Sequence, residues 1–328
     1  MPGTRAEGRP PGSLRGFASP PIGAHVSVAG GLFRALEGAR RIGAEALQVF
    51  PGNPRQWRRP AYPEDELRAF RAALTRSRKP LAVHTSYLIN LASPEAELRR
   101  KSARALADAL VFGARAGARV VVTHVGSHRG DGFEAALGRV GAAARVALEQ
   151  AAAETSPQGL PSLLLETGAG GKGSVGSSPE ELGRLLAELP ETAGVCLDTA
   201  HMFAAGYPIH TREGRDRFLA EVDHRVSLAR VGLVHLNDSR SPLGSRRDRH
   251  ENVGEGAIGA EGLALWVRHP GLRAVPFVLE TPGFDDQGPD RKNLRMAKAL
   301  RGSPEYGGAS SATGPARRQA RSAVDHRP

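Results

Sequence analysis

The chain has 328 residues, 40% of them hydrophobic and 24% charged, which is ordinary for a soluble globular protein and leaves ample material for a large core. One cysteine, Cys196, excludes an intramolecular disulfide, and the sequence holds neither a run of about 18 apolar residues nor an apolar N-terminal segment, so a membrane span and a secretory signal are not expected and the protein reads as cytoplasmic. The formal net charge of +11 favours a polyanionic partner without proving one, since an Arg-rich solvated surface gives the same balance.

Residues 1–21 are Gly, Pro, Ser and Arg without periodicity, and 302–328 repeat that composition; both read as disordered basic tails. Between them, residues 22–301 alternate between short apolar runs and amphipathic stretches. The runs are 24–28, 46–50, 81–85, 120–124, 162–166, 194–198, 232–236 and 276–281. Several are Val- and Leu-rich without polar alternation, which suits strands buried on both faces of a parallel sheet. Helices are expected between them. Residues 63–77 place Leu67, Phe70 and Leu74 at helical spacing. Ser93-Pro94 reads as an N-cap with Pro at the first helical position, opening a helix to about residue 116. Ser178-Pro179-Glu180-Glu181 reads as a capping box. Eight β units separated by helices predict a single α/β domain, a (β/α)₈ TIM barrel. A doubly wound open sheet is the alternative. Gly30-Gly31 follows the first run, but no GxGxxG is present to support dinucleotide binding.

Catalysis in such a barrel sits at the C-terminal ends of the strands. The third run reaches His84, the fourth ends in His124, the fifth in Glu166 and the sixth in Asp198, with His201 three residues on. The seventh carries His235 and is followed by Asp248 and His250; the eighth carries Glu280. A lone histidine or carboxylate at a strand end is ordinarily a hydrogen-bonded structural group. Four carboxylates and five histidines on one rim are different, because facing carboxylates repel unless cations lie among them. Imidazole and carboxylate without thiolate suit zinc, manganese, iron or cobalt, and nine ligands fit two or three ions. His25 and His128 could each orient a ligand from behind, whereas His210, His224, His269 and His326 read as surface residues.

The loops over this rim are basic. Arg240, Arg246, Arg247 and Arg249 surround Asp248 and His250, which points to an anionic substrate, although charged runs are usually just solvated. Arg55 and Trp57 follow the second strand. Tyr87, Leu88 and Asn90 follow the third. Aromatic or apolar residues beside basic ones suit insertion between bases, and alone would more often cover the barrel mouth.

At these residues the chain resembles the endonuclease IV family of apurinic/apyrimidinic DNA repair endonucleases. The likeness rests on Gly23-Ala24-His25-Val26-Ser27, Arg55-Gln56-Trp57, residues 84–91, His124-Val125-Gly126-Ser127-His128, Asp198-Thr199-Ala200-His201, Ala204-Ala205-Gly206-Tyr207, His235-Leu236-Asn237-Asp238, Gly244-Ser245-Arg246, Asp248-Arg249-His250, Gly254-Glu255-Gly256 and Leu279-Glu280-Thr281. It spans roughly residues 23–300, with the motifs in order.

The resemblance implies three zinc ions: one held by His84, His124 and Glu166; a second by Glu166, Asp198, His235 and Glu280; a third by His201, Asp248 and His250. It implies that Arg55, Tyr87 and Leu88 enter the duplex at the lesion, and Arg246 and Arg249 are read with them as DNA-binding. The implied reaction is zinc-dependent hydrolysis of the phosphodiester 5′ to an abasic site in double-stranded DNA. It leaves a 3′-hydroxyl and a 5′-deoxyribose phosphate, as base excision repair requires. Glu280 and Glu166 are the implied catalytic carboxylates, with Glu280 orienting or deprotonating the attacking water. Thr85 and Val125 stand where the family can have Asp and Pro, neither at a ligand position. A monomer suffices for this chemistry. A sugar isomerase on a related barrel and a DNA-binding protein with structural zinc are the rival readings. The set His201, Asp248 and His250 speaks against the first, and the single cysteine against the second.

Overall fold

Each of the eight apolar runs overlaps a strand in the computed structural model, which describes residues 19–58, 60–155 and 159–302, although β1 begins two residues and β7 one residue before the run. The tail segments 1–18 and 303–328, read above as disordered, lie outside the described residues. The barrel strands are β1 (Ile22–His25), β2 (Leu47–Val49), β3 (Leu81–His84), β4 (Val120–Thr123), β5 (Ser162–Glu166), β6 (Gly194–Asp198), β7 (Val231–His235) and β10 (Phe277–Leu279). They pair in parallel and in sequence order, and β10 closes on β1, giving a complete TIM barrel. Pro21 already belongs to the barrel wall, its carbonyl accepting from Phe277 N at 2.9 Å.

Side chains alternate across a strand, so residues two apart share a face. The barrel interior is floored by Ala82, Val120, Val122, Leu164, Cys196, Leu233 and Val278, a separate apolar cluster. Two residues on from Ala82, Val122, Leu164, Cys196, Leu233 and Val278 stand His84, His124, Glu166, Asp198, His235 and Glu280. One apolar layer therefore lies directly beneath one polar layer at the carboxyl ends of the strands. The opposite parity, including Leu47, Val83, Val121, Leu165, Val195, Leu197, Val234 and Leu279, packs outward into the main core. Gly23 is on the inner parity; a Cβ there would stand 1.9 Å from the Ala46 carbonyl oxygen, so β1 and β2 could not keep this approach with any side chain.

Around the barrel run α1 (Leu32–Ile42), α2 (Glu64–Ser77), α3 (Ala96–Ala116), α4 (Phe133–Glu154), α5 (Pro179–Ala187), α6 (Thr199–Ala205), α7 (Arg212–Arg225), α8 (Gly259–Val267) and α9 (Arg291–Ala299). Leu67, Phe70 and Leu74 are the buried stripe of α2. Two helix starts differ from the sequence reading. α3 begins at Ala96, because the Ser93 hydroxyl accepts from Glu95 N at 3.1 Å in a turn that precedes the helix. In α5 Ser178 caps Glu181 N at 3.1 Å as expected. The Glu181 carboxylate, however, reaches past the cap to accept from Gly176 N (2.8 Å) and Ser177 N (3.0 Å). A further difference lies after β7. Asp238–Ser239 (β8) and His250–Glu251 (β9) form a two-residue antiparallel ribbon where a loop was expected. Two residues per strand are too few for a periodic signal. Among the described residues no helix is long and apolar enough to cross a membrane.

Candidate metal centre

The polar layer resolves into three groups whose donor atoms lie within 4.8 Å of one another: His84, His124 and Glu166; Glu166, Asp198, His235 and Glu280; and Asp198, His201 and His250. Glu166, at the end of β5, joins the first two. Its Oε2 lies 3.0 Å from His84 Nε2 and 3.4 Å from His124 Nδ1, and its Oε1 lies 2.9 Å from His235 Nδ1. Asp198 joins the second group to the third, with Oδ2 3.7 Å from His235 Nδ1 and 3.6 Å from His250 Nε2. Asp198 also caps α6, accepting from His201 N at 2.9 Å; that short helix holds the His201 ring at the rim. Asp248, more exposed than the rest, stands between the remaining two rings at 3.2 Å from His201 Nε2 and 3.2 Å from His250 Nε2. The ribbon β8–β9 brings it there. All nine expected residues thus meet on one rim, and Asp198 adds itself to the third group.

The histidines are oriented from behind. His84 Nδ1 lies 2.8 Å from the Thr85 carbonyl, His201 Nδ1 2.9 Å from the Thr167 carbonyl and His250 Nδ1 3.2 Å from the Glu280 carbonyl. A carbonyl only accepts, so each Nδ1 carries a proton and each Nε2 is the nitrogen turned toward the cluster. His250 Nε2 is buried, and carboxylate oxygens approach it, Asp248 Oδ1 at 3.2 Å and Asp198 Oδ2 at 3.6 Å. A buried nitrogen set among carboxylates in this way fits a metal ion as its partner.

Burial alone would push the Glu166 carboxyl up, yet His124, His235 and His84 outweigh it and hold the group well below the usual range. Burial likewise opposes ionisation of Glu280, and His235, His25 and His84 reverse the balance. His201 is depressed by burial but raised well above the ordinary imidazole value by Asp198 and Asp248; His250, under the same opposition, is raised to about 9. The carboxylates therefore build a field strong enough to hold positive charge in a buried site, which is what a cation needs. Burial pushes the Cys196 thiol beneath them up to about 12, so it offers no thiolate, and the donor set is nitrogen and oxygen only.

Several residues of the site escaped the sequence reading. Gln48, fully buried, lies among His25, His235 and Glu280. Asn237 donates to Asp198 Oδ2 at 2.7 Å and accepts from Glu280 N at 2.8 Å, tying β6 to β10. The Asp238 carboxylate accepts from the backbone N–H groups of Gly254, Gly256, Ile258 and Gly259, folding the loop after β9 against the rim. His25 touches Glu280 Oε1 at 3.3 Å, whereas His128 accepts from Gly130 N and Gly132 N and shapes its own loop. His224 is exposed as expected. His210 and His269 are half-buried instead, His210 edge-on to Phe203; His326 lies outside the described residues.

The loops flanking the rim are tied together. Tyr87 N and Ser86 Oγ both donate to the Pro54 carbonyl, at 3.0 and 2.7 Å, joining the turn that carries exposed Arg55 to the one that carries Tyr87. Tyr87 is 54% exposed, with its ring 5.2 Å from Phe50, 5.9 Å from His84 and 6.0 Å from His124. Leu88 is half-buried beside it, and Trp57 is exposed. Asn90 clasps Ser127, donating to its carbonyl and accepting from its N–H, both at 3.0 Å. Gly126, at φ 105°, permits that clasp, since a Cβ there would stand 2.2 Å from Asn90 Oδ1. Across the rim Arg246, Arg247 and Arg249 are exposed, but Arg240 is paired with Glu251 at 2.9 Å and is not a free cation. A groove of about 1050 Å³ leads from His25, Tyr87 and Glu280 along Ser27 and Arg34 to Arg41.

A parallel barrel with a nitrogen-and-oxygen donor cluster at its carboxyl rim defines a class: the family model described as "Xylose isomerase-like TIM barrel" matches residues 36–301. Within it, a Chloroflexus aurantiacus protein named "Probable endonuclease 4" is 41% identical over 285 residues, covering 86% of this chain and 98% of that one. A protein of the same name from Methanoculleus marisnigri is 42% identical over 284 residues, 86% and 99% of the two chains. The crystal structure of endonuclease IV from Thermus thermophilus superposes with a TM-score of 0.76 at 41% identity, covering 86% of this chain and 98% of that chain. The chain belongs to the endonuclease IV family and is a hydrolase of the deoxyribonuclease type, an endonuclease of DNA repair.

Proposed function

We propose that the chain hydrolyses the phosphodiester 5′ to abasic sites in double-stranded DNA, leaving a 3′-hydroxyl and a 5′-deoxyribose phosphate. Three zinc ions would be held by His84, His124 and Glu166, by Glu166, Asp198, His235 and Glu280, and by His201, Asp248 and His250. The observation that carries this reading is the sharing of Glu166 and Asp198 between adjacent donor groups on one rim. One buried carboxylate reaching imidazoles of two groups supports a site for more than one ion, and all the candidate ligands come from one chain. The donor chemistry, imidazole nitrogens set among carboxylate oxygens with no thiolate, fits zinc. When bound, the ions would supply Lewis-acid polarisation of the phosphate and a water acidic enough to ionise near pH ~7.

The chain's own residues do the rest. Glu280, held by Gln48 and Asn237, is aimed to orient or deprotonate the attacking water, with Glu166 opposite it. Arg55, Tyr87 and Leu88 form one braced ridge beside the centre, suited to enter a duplex where base pairing is already lost and distortion costs least. Arg246 and Arg249 on the opposite side would contact the backbone phosphates. A sugar isomerase needs neither this ridge nor the third donor group.

The test is cleavage of a synthetic abasic-site duplex by purified protein, before and after chelation and after zinc is restored. Cleavage lost with chelator and regained with zinc, with a 3′ end that a polymerase extends, is the expected result. Chelator-insensitive cleavage, or none by zinc-replete protein, overturns the proposal.

A further inference from the structure

We propose that Gln48 is a positioning residue of the metal centre. Its side-chain amide would fix the nitrogen His235 presents to the cluster and restrain one oxygen of Glu280. The proposal rests on the zinc reading above. Gln48 is fully buried on the inner parity of β2, where the barrel floor is otherwise apolar. Its Nε2 lies 2.6 Å from Glu280 Oε1 and 3.0 Å from His25 Nδ1, and its Oε1 lies 2.9 Å from His235 Nε2.

The chemistry allows one orientation of this amide. A carboxylate only accepts, so the NH₂ end must face Glu280. Turned over, Oε1 would oppose the carboxylate and an unpaired buried repulsion would result. With the carbonyl end facing His235, Nε2 of that ring must carry the proton. Nδ1 is then the nitrogen turned toward the cluster. It lies 2.9 Å from Glu166 Oε1, 3.3 Å from Glu280 Oε2 and 3.7 Å from Asp198 Oδ2, in the middle of the second group.

This is the reverse of His84, His201 and His250, which hold Nδ1 on a backbone carbonyl and turn Nε2 inward. At His235 a side chain takes the part played elsewhere by the main chain. The Cys196 thiol also touches His235, but burial keeps it protonated and a thiol is a weak partner. The same amide engages Glu280 Oε1 and leaves Oε2 on the metal side. One buried residue thus sets two ligands of the second group, and a side chain can be removed where a carbonyl cannot.

Gln48→Met keeps the volume and deletes both hydrogen bonds. In chelator-competition titrations of the full-length protein with zinc, wild type should take up three ions. Gln48→Met should bind one of them about 10–100-fold more weakly. At saturating zinc its kcat on an abasic duplex should fall about tenfold or more with KM unchanged, because Gln48 is buried away from DNA. Thermal melts of the chelated proteins report packing separately; if the Met variant does not fold, Gln48→Ala is measured the same way. Zinc affinities and kcat equal to wild type, with only the melting temperature lowered, assign Gln48 a packing role and overturn the proposal. Wild type that retains no zinc overturns the metal reading, and this proposal with it.

Discussion

His201 Nε2 and Asp248 Oδ2 stand 3.2 Å apart, one side chain buried in α6 just after β6 and the other more than half exposed on the loop before β9. Burial depresses the His201 imidazole, and the charges of Asp198 and Asp248 reverse that. The pair joins the barrel to the loop between β8 and β9, so it offers a way to remove one donor group without disturbing the core. In Asp248→Asn the third zinc should be lost while two remain, and abasic-site cleavage should fall by more than about a hundredfold. Metal analysis after gel filtration counts the ions. Three ions retained with normal cleavage would remove Asp248 from the centre.

Glu280 is placed by more contacts than a ligand alone requires: Gln48 and His25 at its carboxylate, Asn237 Oδ1 at its N–H. Glu280→Gln keeps the shape but puts an NH₂ where one carboxylate oxygen faces the cluster. The protein should still fold, since the neighbouring barrel layer is apolar and untouched. Cleavage should become undetectable, with circular dichroism and thermal unfolding close to wild type. Near wild-type turnover by this variant would defeat the assigned role.

Much of this was legible in the primary structure, for identifiable reasons. The barrel shows because buried parallel strands read as Val- and Leu-rich runs, and each run overlaps a strand. His84, Glu166 and Asp198 stand out because each ends such a run, where a titratable side chain is expensive unless it is used. Gln48 does not stand out: an amide carries no charge, and its place beside His235 and Glu280 depends on β1, β2 and β10 meeting around the closure of the barrel. The β8–β9 ribbon is invisible for want of length, although Asp238, which anchors the following loop, lies inside a recognisable motif. Arg240 reads in the sequence as a free cation because its partner Glu251 is eleven residues away and only the β8–β9 ribbon brings the two together.

The ridge beside the centre should separate binding from metal content. Arg55 and Tyr87 are exposed and touch none of the carboxylates, while their loops are braced through the Pro54 carbonyl. In a Glu280→Gln background, which should bind without cutting, Arg55→Ala and Tyr87→Ala should each weaken binding to an abasic duplex by roughly 1–3 kcal/mol. Zinc stoichiometry should stay at the parent value. Fluorescence anisotropy with intact and abasic duplexes gives the comparison. Equal loss on both duplexes would make these residues general backbone contacts, and no loss would exclude insertion.

At the other end of the barrel Glu45 ties β1 to α9 and the residues that follow it. Its carboxylate accepts from Ile22 N at 3.0 Å and from the Arg301 guanidinium, with Lys298 Nζ 3.2 Å away. Burial works against its ionisation, but Arg301, the Ile22 N–H and Lys298 bring the carboxyl below its ordinary value. A depressed carboxyl stabilises the folded state above the unfolded pKa of about 4.3, and that contribution disappears as pH falls through the folded value. The group is only half-buried, so solvent screening limits the effect to about 1 kcal/mol. Glu45→Gln should therefore lower the urea midpoint at pH 7, and the gap to wild type should narrow as the pH is taken below ~4. A gap that is constant from pH 7 to pH 3 would mean that the glutamate contributes by shape and hydrogen bonding alone, without its charge.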